Sequence, residues 1–249
     1  MEEENMEKLL EFKNFSVSLA GKCLYESLNF TINKGDRYIY WGPNGSGKSL
    51  LLELIFRGFT KELEGRYKGL EISGQILDNK GRDWLKLEEK DKEIKIVHLR
   101  QKEQFPRNYT VKDVCRQSCA GMNIEFDEKK LDYLLDVFGL QDKKNKKIHN
   151  RCSPGEEKLI YLISRILKLI RADLFLLDEP LNHLSFYNSR KFNQLMLEEI
   201  KQNSSLAIMM ISHCKAATFI DKAIEYQERK IIFHPDYQAY DCFLDTDSI

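Results

Sequence analysis

The residues that decide the fold are Tyr38-Ile39-Tyr40-Trp41-Gly42-Pro43-Asn44-Gly45-Ser46-Gly47-Lys48-Ser49. Arg37 to Trp41 has the length and the apolar, aromatic composition of a buried strand. Leu50 to Phe56, behind the glycine-rich stretch, is an apolar segment that predicts a helix. Gly42 to Ser49 fits the pattern Gly-x4-Gly-Lys-Ser, and such a loop between a strand and a helix is typical of phosphate binding.

This loop predicts a binding site for the phosphates of a nucleotide with Mg²⁺. Its glycines allow backbone N–H groups to surround phosphate oxygens, and the helix N-terminus adds a favourable dipole. Lys48 is expected to reach the β and γ phosphates, and Ser49 is expected to bind Mg²⁺. The predicted nucleotide-binding residues of the loop are Gly42, Pro43, Asn44, Gly45, Ser46, Gly47, Lys48 and Ser49.

A second apolar segment, Leu174-Phe175-Leu176-Leu177, ends in Asp178-Glu179-Pro180. A strand of a parallel sheet would place both carboxylates at the carboxyl edge, where such folds bind ligands. One acid, Asp178, is expected to hold the metal, while Glu179 is expected to polarise the attacking water. Because any strand can end in two acids at a turn, this segment indicates a catalytic site only together with the phosphate loop.

Composition limits the classes of function. Lys+Arg and Asp+Glu number 39 each, so the chain lacks the basic excess that attracts nucleic acids or anionic membranes. The six cysteines form no Cys-x-x-Cys pair or zinc-type cluster and are expected to be reduced thiols. The polar start from Met1 to Lys8 does not resemble a secretory signal, and no apolar run approaches the ~18 to 20 residues of a membrane span.

The order of patterns predicts an α/β fold. Residues 12–34 alternate and turn like antiparallel strands, and Leu206 to Ile211 is a further candidate for a central parallel strand. Roughly between Thr110 and Ile170 the pattern becomes helical, with Asp127 as a candidate cap and Gly139 as a stop. The expected fold is a P-loop NTPase core with a mostly parallel sheet, an N-terminal antiparallel β subdomain and a helical subdomain inserted at about 102–170. All of 1–249 is expected to form one nucleotide-binding domain.

These motifs resemble the ATP-binding-cassette (ABC) ATPase family along residues 12–232. The resemblance implies a Mg-dependent ATPase that closes as a head-to-tail dimer over two nucleotides. Gln101, with Gln104 as the alternative, matches the family's Q-loop glutamine, which touches Mg²⁺ or the attacking water. His213 matches the switch histidine that contacts the γ-phosphate.

The stretch Ser153-Pro154-Gly155-Glu156 stands where the family carries its Leu-Ser-Gly-Gly-Gln signature. It is also a capping box with proline at the first helical position, and a helix N-terminus with a free hydroxyl can bind an anion as well. The resemblance implies that Ser153 and Gly155 address the γ-phosphate bound by the opposite subunit.

Two features depart from the family pattern. Ser185 stands where the D-loop of the family usually has aspartate, in the stretch Asn182-His183-Leu184-Ser185. The aromatic residue that often stacks on adenine falls at Leu19, flanked by Phe15 and Tyr25, which leaves the base preference open.

The resemblance implies a subunit of a transporter, most often an exporter, that works with separate transmembrane permease subunits at the cytoplasmic face of a membrane. The cassettes would pair as a homodimer or a heterodimer. The alternative is a soluble ABC ATPase that acts on ribosomes, DNA or a protein assembly partner. Asn182-His183-Leu184 resembles the tandem-cassette ribosome proteins, but the sequence carries no strong nucleic-acid signal.

Overall fold

The computed structural model describes residues 7–101, 105–106, 108–149, 151–212, 217–235 and 237. The strands are β1 (Lys8–Leu19), β2 (Lys22–Asn33), β3 (Arg37–Trp41), β4 (Leu70–Asp78), β5 (Ile96–Leu99), β6 (Leu174–Asp178), β7 (Ala207–Ile211), β8 (Lys222–Gln227) and β9 (Lys230–His234). The α-helices are α1 (Lys48–Arg57), α2 (Lys61–Arg66), α3 (Val111–Ala120), α4 (Glu128–Phe138), α5 (Pro154–Ile166) and α6 (Phe186–Gln202).

The smaller sheet confirms the predicted antiparallel N-terminal part of the fold. Its strand order is β2-β1-β4, and both pairings with β1 are antiparallel. Of β4, the sequence pattern predicts only the strand-like stretch Gln75 to Leu77 before the turn at Asp78, and it does not predict α2. This helix begins after Thr60, whose hydroxyl accepts a hydrogen bond of 3.2 Å from the Leu63 amide and so caps it.

The larger sheet has the order β5-β6-β7-β3-β8-β9 and is parallel except for the hairpin of β8 and β9. The carboxyl ends of β3 and β6 therefore open on the same edge, with β7 between them. Helix α1 lies between the two sheets, since its leucines share one buried cluster with residues of both. This packing fixes the start of α1 directly behind the glycine-rich loop.

Helices α3, α4 and α5 lie between β5 and β6 in the chain, where the sequence predicted helices. The Asp127 carboxylate accepts a hydrogen bond of 2.9 Å from the Lys130 amide at the start of α4. Gly139 ends this helix in the left-handed conformation, with φ of 70°. Both local signals predicted the boundaries of α4 correctly.

Within the described part of the chain, no helix combines the length and the hydropathy that a membrane span requires. Cys23, Cys115, Cys119 and Cys152 are free thiols. Burial raises the pKa of the Cys115 thiol to about 12, so this cysteine is an apolar core residue on α3.

Candidate functional site

The glycine-rich loop runs from the end of β3 to the start of α1, as predicted. Gly47 is the N-terminal cap of α1 in the left-handed conformation, with φ of 92°. A β-carbon at this position would lie 3.1 Å from both the Leu24 and the Tyr25 side chains. Glycine is therefore required at position 47 by backbone conformation and by close packing against β2.

Lys48 crosses the loop that it follows. Its ammonium group donates hydrogen bonds of 2.8 Å to the carbonyl oxygens of Gly42 and Pro43. Burial lowers the pKa of Lys48, while the carboxylates of Glu179 and Asp178 act in the opposite direction. The lysine is thus a partly desolvated cation held at the loop by backbone oxygens, which suits exchange of these contacts for phosphate oxygens.

A cavity of about 750 Å³ opens above the loop. The loop contributes Asn44, Gly45, Gly47, Lys48 and Ser49 to its lining, and Leu50 of α1 lies beside them. The remaining described lining residues are Leu19, Lys22, Leu24, Tyr67, Gln101, Glu179, Asn182 and Ile211. The cavity therefore joins the phosphate loop to the acidic strand end and to the turn between β1 and β2.

Asp178 and Glu179 end β6 beside this loop. Burial raises the pKa of Asp178, and a hydrogen bond from the Ser49 hydroxyl and the charge of Lys158 act against that effect. Glu179 has a positive φ of 51°, and its amide donates a hydrogen bond of 3.0 Å to the Ile211 carbonyl oxygen on β7. This unusual backbone conformation turns the Glu179 side chain into the cavity instead of along the strand.

Two amide side chains bind the Glu179 carboxylate. The Nε2 of Gln101 donates a hydrogen bond of 2.8 Å to Glu179 Oε2. The Nδ2 of Asn182 donates to the same oxygen. Gln101 was predicted at this site, whereas Asn182 was named only within the D-loop stretch and the resemblance to the tandem-cassette ribosome proteins, with no role in binding or catalysis. The signal that could have found it is its position three residues after Glu179, in the turn that leaves the strand.

The oxygen groups at this edge fit a magnesium ion. Mg²⁺ prefers hard oxygen ligands such as carboxylate, hydroxyl and water. The Asp178 carboxylate is buried, and the Ser49 hydroxyl contacts it. Gln101 donates to Glu179 through its amide nitrogen, so its amide oxygen takes no part in that bond. The Ser46 hydroxyl is also buried without a hydrogen-bond partner among the described residues, as expected of a loop built to surround an anion.

Ser153 and Gly155 occupy the N-terminus of α5. The Ser153 hydroxyl accepts a hydrogen bond of 3.3 Å from the Glu156 amide, and the Glu156 carboxylate accepts one of 2.7 Å from the Ser153 amide. This confirms the capping box. The hydroxyl proton of Ser153 is not used by the cap. Neither Ser153 nor Gly155 is among the described residues that line the cavity of the same chain.

The D-loop departure at Ser185 has a local structural reason. Ser185 caps helix α6, because its hydroxyl accepts a hydrogen bond of 3.2 Å from the Asn188 amide. A β-carbon at Gly155 would lie 3.4 Å from the carbonyl oxygen of His183. The signature helix and the D-loop segment therefore touch within one subunit. His213 and Gln104 lie outside the described residues.

The comparisons with known proteins agree with this geometry. The family model of the ABC transporter matches residues 25–182, which is more than half of the chain. The zinc uptake system ATP-binding protein of Listeria innocua is 26% identical over 252 residues, which cover 96% of this chain and 90% of that protein. The ergothioneine transport ATP-binding protein of Helicobacter pylori is 29% identical over 211 residues, with coverage of 84% and 91%.

The fold is also found among solved structures. An ATP-binding subunit of an ABC transporter superimposes with a TM-score of 0.68 at 17% identity, and the match covers 91% of this chain and 90% of that one. A putative metal-chelate type ABC transporter in an inward-facing conformation gives a TM-score of 0.65 at 21% identity, with coverage of 92% and 84%. The protein belongs to the ABC transporter family, and it is an ATP-hydrolysing, ATP-binding subunit of that family.

Proposed function

We propose that this chain powers an importer, binding Mg-ATP at the phosphate loop and hydrolysing it at Glu179. The observation that supports the chemistry is that Lys48, Ser49 and Glu179 line one cavity, while the buried Asp178 carboxylate is hydrogen-bonded to Ser49. The relatives support the direction of transport, because two of them are named for zinc uptake and for petrobactin import.

The proposed direction of transport, import, replaces the export that was expected from the sequence. Relatives that span nearly the whole chain carry names of uptake or import systems, and they give the exporter no support. The alternative of a soluble factor on ribosomes, DNA or an assembly partner is not favoured either, since these relatives are named as ATP-binding proteins of transport systems. The chain is expected to dock on separate membrane-spanning subunits at the cytoplasmic face.

In the proposed reaction, Lys48 binds the terminal phosphates, and Ser49 with Asp178 and the Gln101 amide oxygen holds the metal ion. Magnesium would neutralise phosphate charge as the terminal phosphoryl group is transferred. Glu179 polarises the attacking water. Gln101 and Asn182 both donate to one Glu179 oxygen and so orient the carboxylate that accepts the proton of that water.

A second cassette would complete each site. Ser153 and Gly155 do not line the cavity of their own chain, whereas the cap geometry leaves the Ser153 hydroxyl proton available as a donor. A head-to-tail pair would bring this helix N-terminus to the phosphates bound by the partner, where its dipole and N–H groups favour an anion. The pair is proposed as either a homodimer or a heterodimer.

Reconstitution tests the direction. The chain would be tagged and purified from detergent-solubilised membranes of its source together with bound membrane subunits, then incorporated into proteoliposomes. ATP supplied on the side that carries this chain should drive the substrate toward that side, and Lys48→Ala should abolish the transport. Movement of the substrate away from that side would show that the protein powers export. Purification of the chain with only ribosomes or soluble partners would favour the alternative of a soluble factor.

A further inference from the structure

Tyr67 lies in the nucleotide cavity, although neither the motifs nor the resemblance pointed to it. It follows helix α2 directly, and its amide donates a hydrogen bond of 2.9 Å to the Leu63 carbonyl oxygen. Its own carbonyl oxygen accepts one of 3.1 Å from the Leu70 amide at the start of β4, where Leu70 pairs with Leu19 of β1. The turn that joins α2 to the small sheet thus carries Tyr67 into the cavity that Lys48 and Ser49 also line.

The Tyr67 side chain combines a packed ring with a hydroxyl whose hydrogen is available for bonding. The ring is half-buried and packs against the cluster that contains helix α1. No described residue forms a hydrogen bond with the hydroxyl. The nearby Glu53 carboxylate is already bound by Arg100 at 2.8 Å and by Arg66 at 3.5 Å. A phenol that has no hydrogen-bond partner in the described part of the chain, in the same cavity as a phosphate loop, is a donor available to a ligand.

The charges around Tyr67 indicate which end of the nucleotide it faces. Burial raises the pKa of Tyr67, the negative charges of Glu53 and Asp178 raise it further, and the charges of Arg66 and Arg100 lower it. The hydroxyl therefore stays protonated at neutral pH, in a cavity that Lys48 and Ser49 of the phosphate loop also line. A neutral donor at this edge can bind a phosphate oxygen or a metal-bound water without adding charge.

We propose that the Tyr67 hydroxyl donates a hydrogen bond to the phosphate–magnesium end of the bound nucleotide, as a further binding residue of the ATP site. This inference rests on the proposed function of the cavity. It differs from the family's aromatic contact, which stacks on adenine and whose position here is Leu19. The ring of Tyr67 anchors the hydroxyl, and the hydroxyl makes the contact.

Binding measurements without turnover test this proposal. Calorimetry would compare the wild type with Tyr67→Phe and Tyr67→Ala, using the magnesium complexes of a non-hydrolysable ATP analogue and of inorganic tripolyphosphate, which has no base. Tyr67→Phe keeps the ring packing and removes only the hydroxyl. It should weaken both ligands to a similar extent, about tenfold, as expected for one hydrogen bond to a charged group. Tyr133→Phe, which removes an exposed hydroxyl on α4, is the matched control.

The outcomes of these measurements distinguish a failure of the Tyr67 proposal from a failure of the proposed function. If Tyr67→Phe binds both ligands like the wild type while Lys48→Ala loses them, the site stands and the Tyr67 proposal is wrong. If Tyr67→Ala weakens the ATP analogue but not tripolyphosphate, the ring stacks on the base and the hydroxyl proposal is also wrong. If the wild type binds neither ligand, the proposed function itself fails. Thermal unfolding of each variant would show that the fold is intact.

Discussion

The side-chain amide of Gln101 donates a hydrogen bond of 2.8 Å to the Glu179 carboxylate and so links the segment after β5 to the end of β6. Glu179 stands at the phosphate loop, and Gln101 begins the stretch that leads to α3. We expect a change at the nucleotide to reach Gln101 through this hydrogen bond. Asn182 donates to the same carboxylate oxygen.

Asn182→Ala should slow hydrolysis while nucleotide binding is kept. The variant removes a donor that orients the Glu179 carboxylate, and the loss of a hydrogen bond to a charged group predicts a fall in kcat of about tenfold. Steady-state kinetics would check this, with Asn79→Ala in the exposed turn after β4 as the control. A kcat equal to that of the wild type would show that Asn182 does not orient Glu179.

Lys48→Ala should abolish binding of Mg-ATP without unfolding the protein. The variant removes the partly buried ammonium group that bridges Gly42 and Pro43 and that is proposed to exchange these carbonyl oxygens for phosphate. Equilibrium dialysis and thermal unfolding would be measured together. Lys86→Ala, which removes an exposed lysine paired with Asp83, is the matched control. Normal ATP affinity in Lys48→Ala would contradict the assignment of the loop.

His98 should make the folded protein sensitive to acid. Burial, with the charges of Arg100, Arg165 and Arg57, lowers the pKa of His98 from 6.5 to about 3, and neither ring nitrogen has a hydrogen-bond partner among the described residues. Between these pH values the unfolded chain binds a proton that the folded protein does not. The free energy of unfolding should therefore fall as the pH falls below 6.5, by up to about 1.4 kcal/mol per pH unit.

Urea unfolding of the wild type and of His98→Gln between pH 5 and pH 7 would measure this contribution. The free energy of unfolding should depend more steeply on pH in the wild type than in the variant, by an amount that corresponds to the uptake of up to one proton on unfolding. Only the wild type carries the buried imidazole. Equal slopes for the two proteins would show that the His98 ring is protonated in the fold.

Mixing two inactive variants tests whether Ser153 acts across a dimer. Ser153→Arg places a bulky side chain at the signature helix, and Glu179→Gln removes the carboxylate at the water. In a head-to-tail mixed dimer both lesions fall on one site, and the other site stays whole. ATPase activity should therefore recover in the mixture relative to either variant alone. Verified mixed dimers that remain inactive would remove the support for this role of Ser153.

Local signals in the sequence predicted much of this structure. Asp127 and Gly139 bound α4 because a cap acts on its neighbours in the chain, and the glycine-rich loop lies between a strand and a helix for the same reason. Tyr67 could not be found in this way, since it reaches the cavity only because β4 pairs with β1. The contact of Gln101 with Glu179 likewise depends on the pairing of β5 with β6.

The most direct test of the account is single-turnover hydrolysis of bound Mg-ATP by Glu179→Gln. The substitution keeps the size of the side chain and removes the carboxylate that is proposed to polarise the water, with Glu125→Gln in the exposed loop before α4 as the control. The ATP affinity of Glu179→Gln should be close to that of the wild type, and its hydrolysis rate should be lower by about a hundredfold or more. Hydrolysis by Glu179→Gln at the wild-type rate would contradict it.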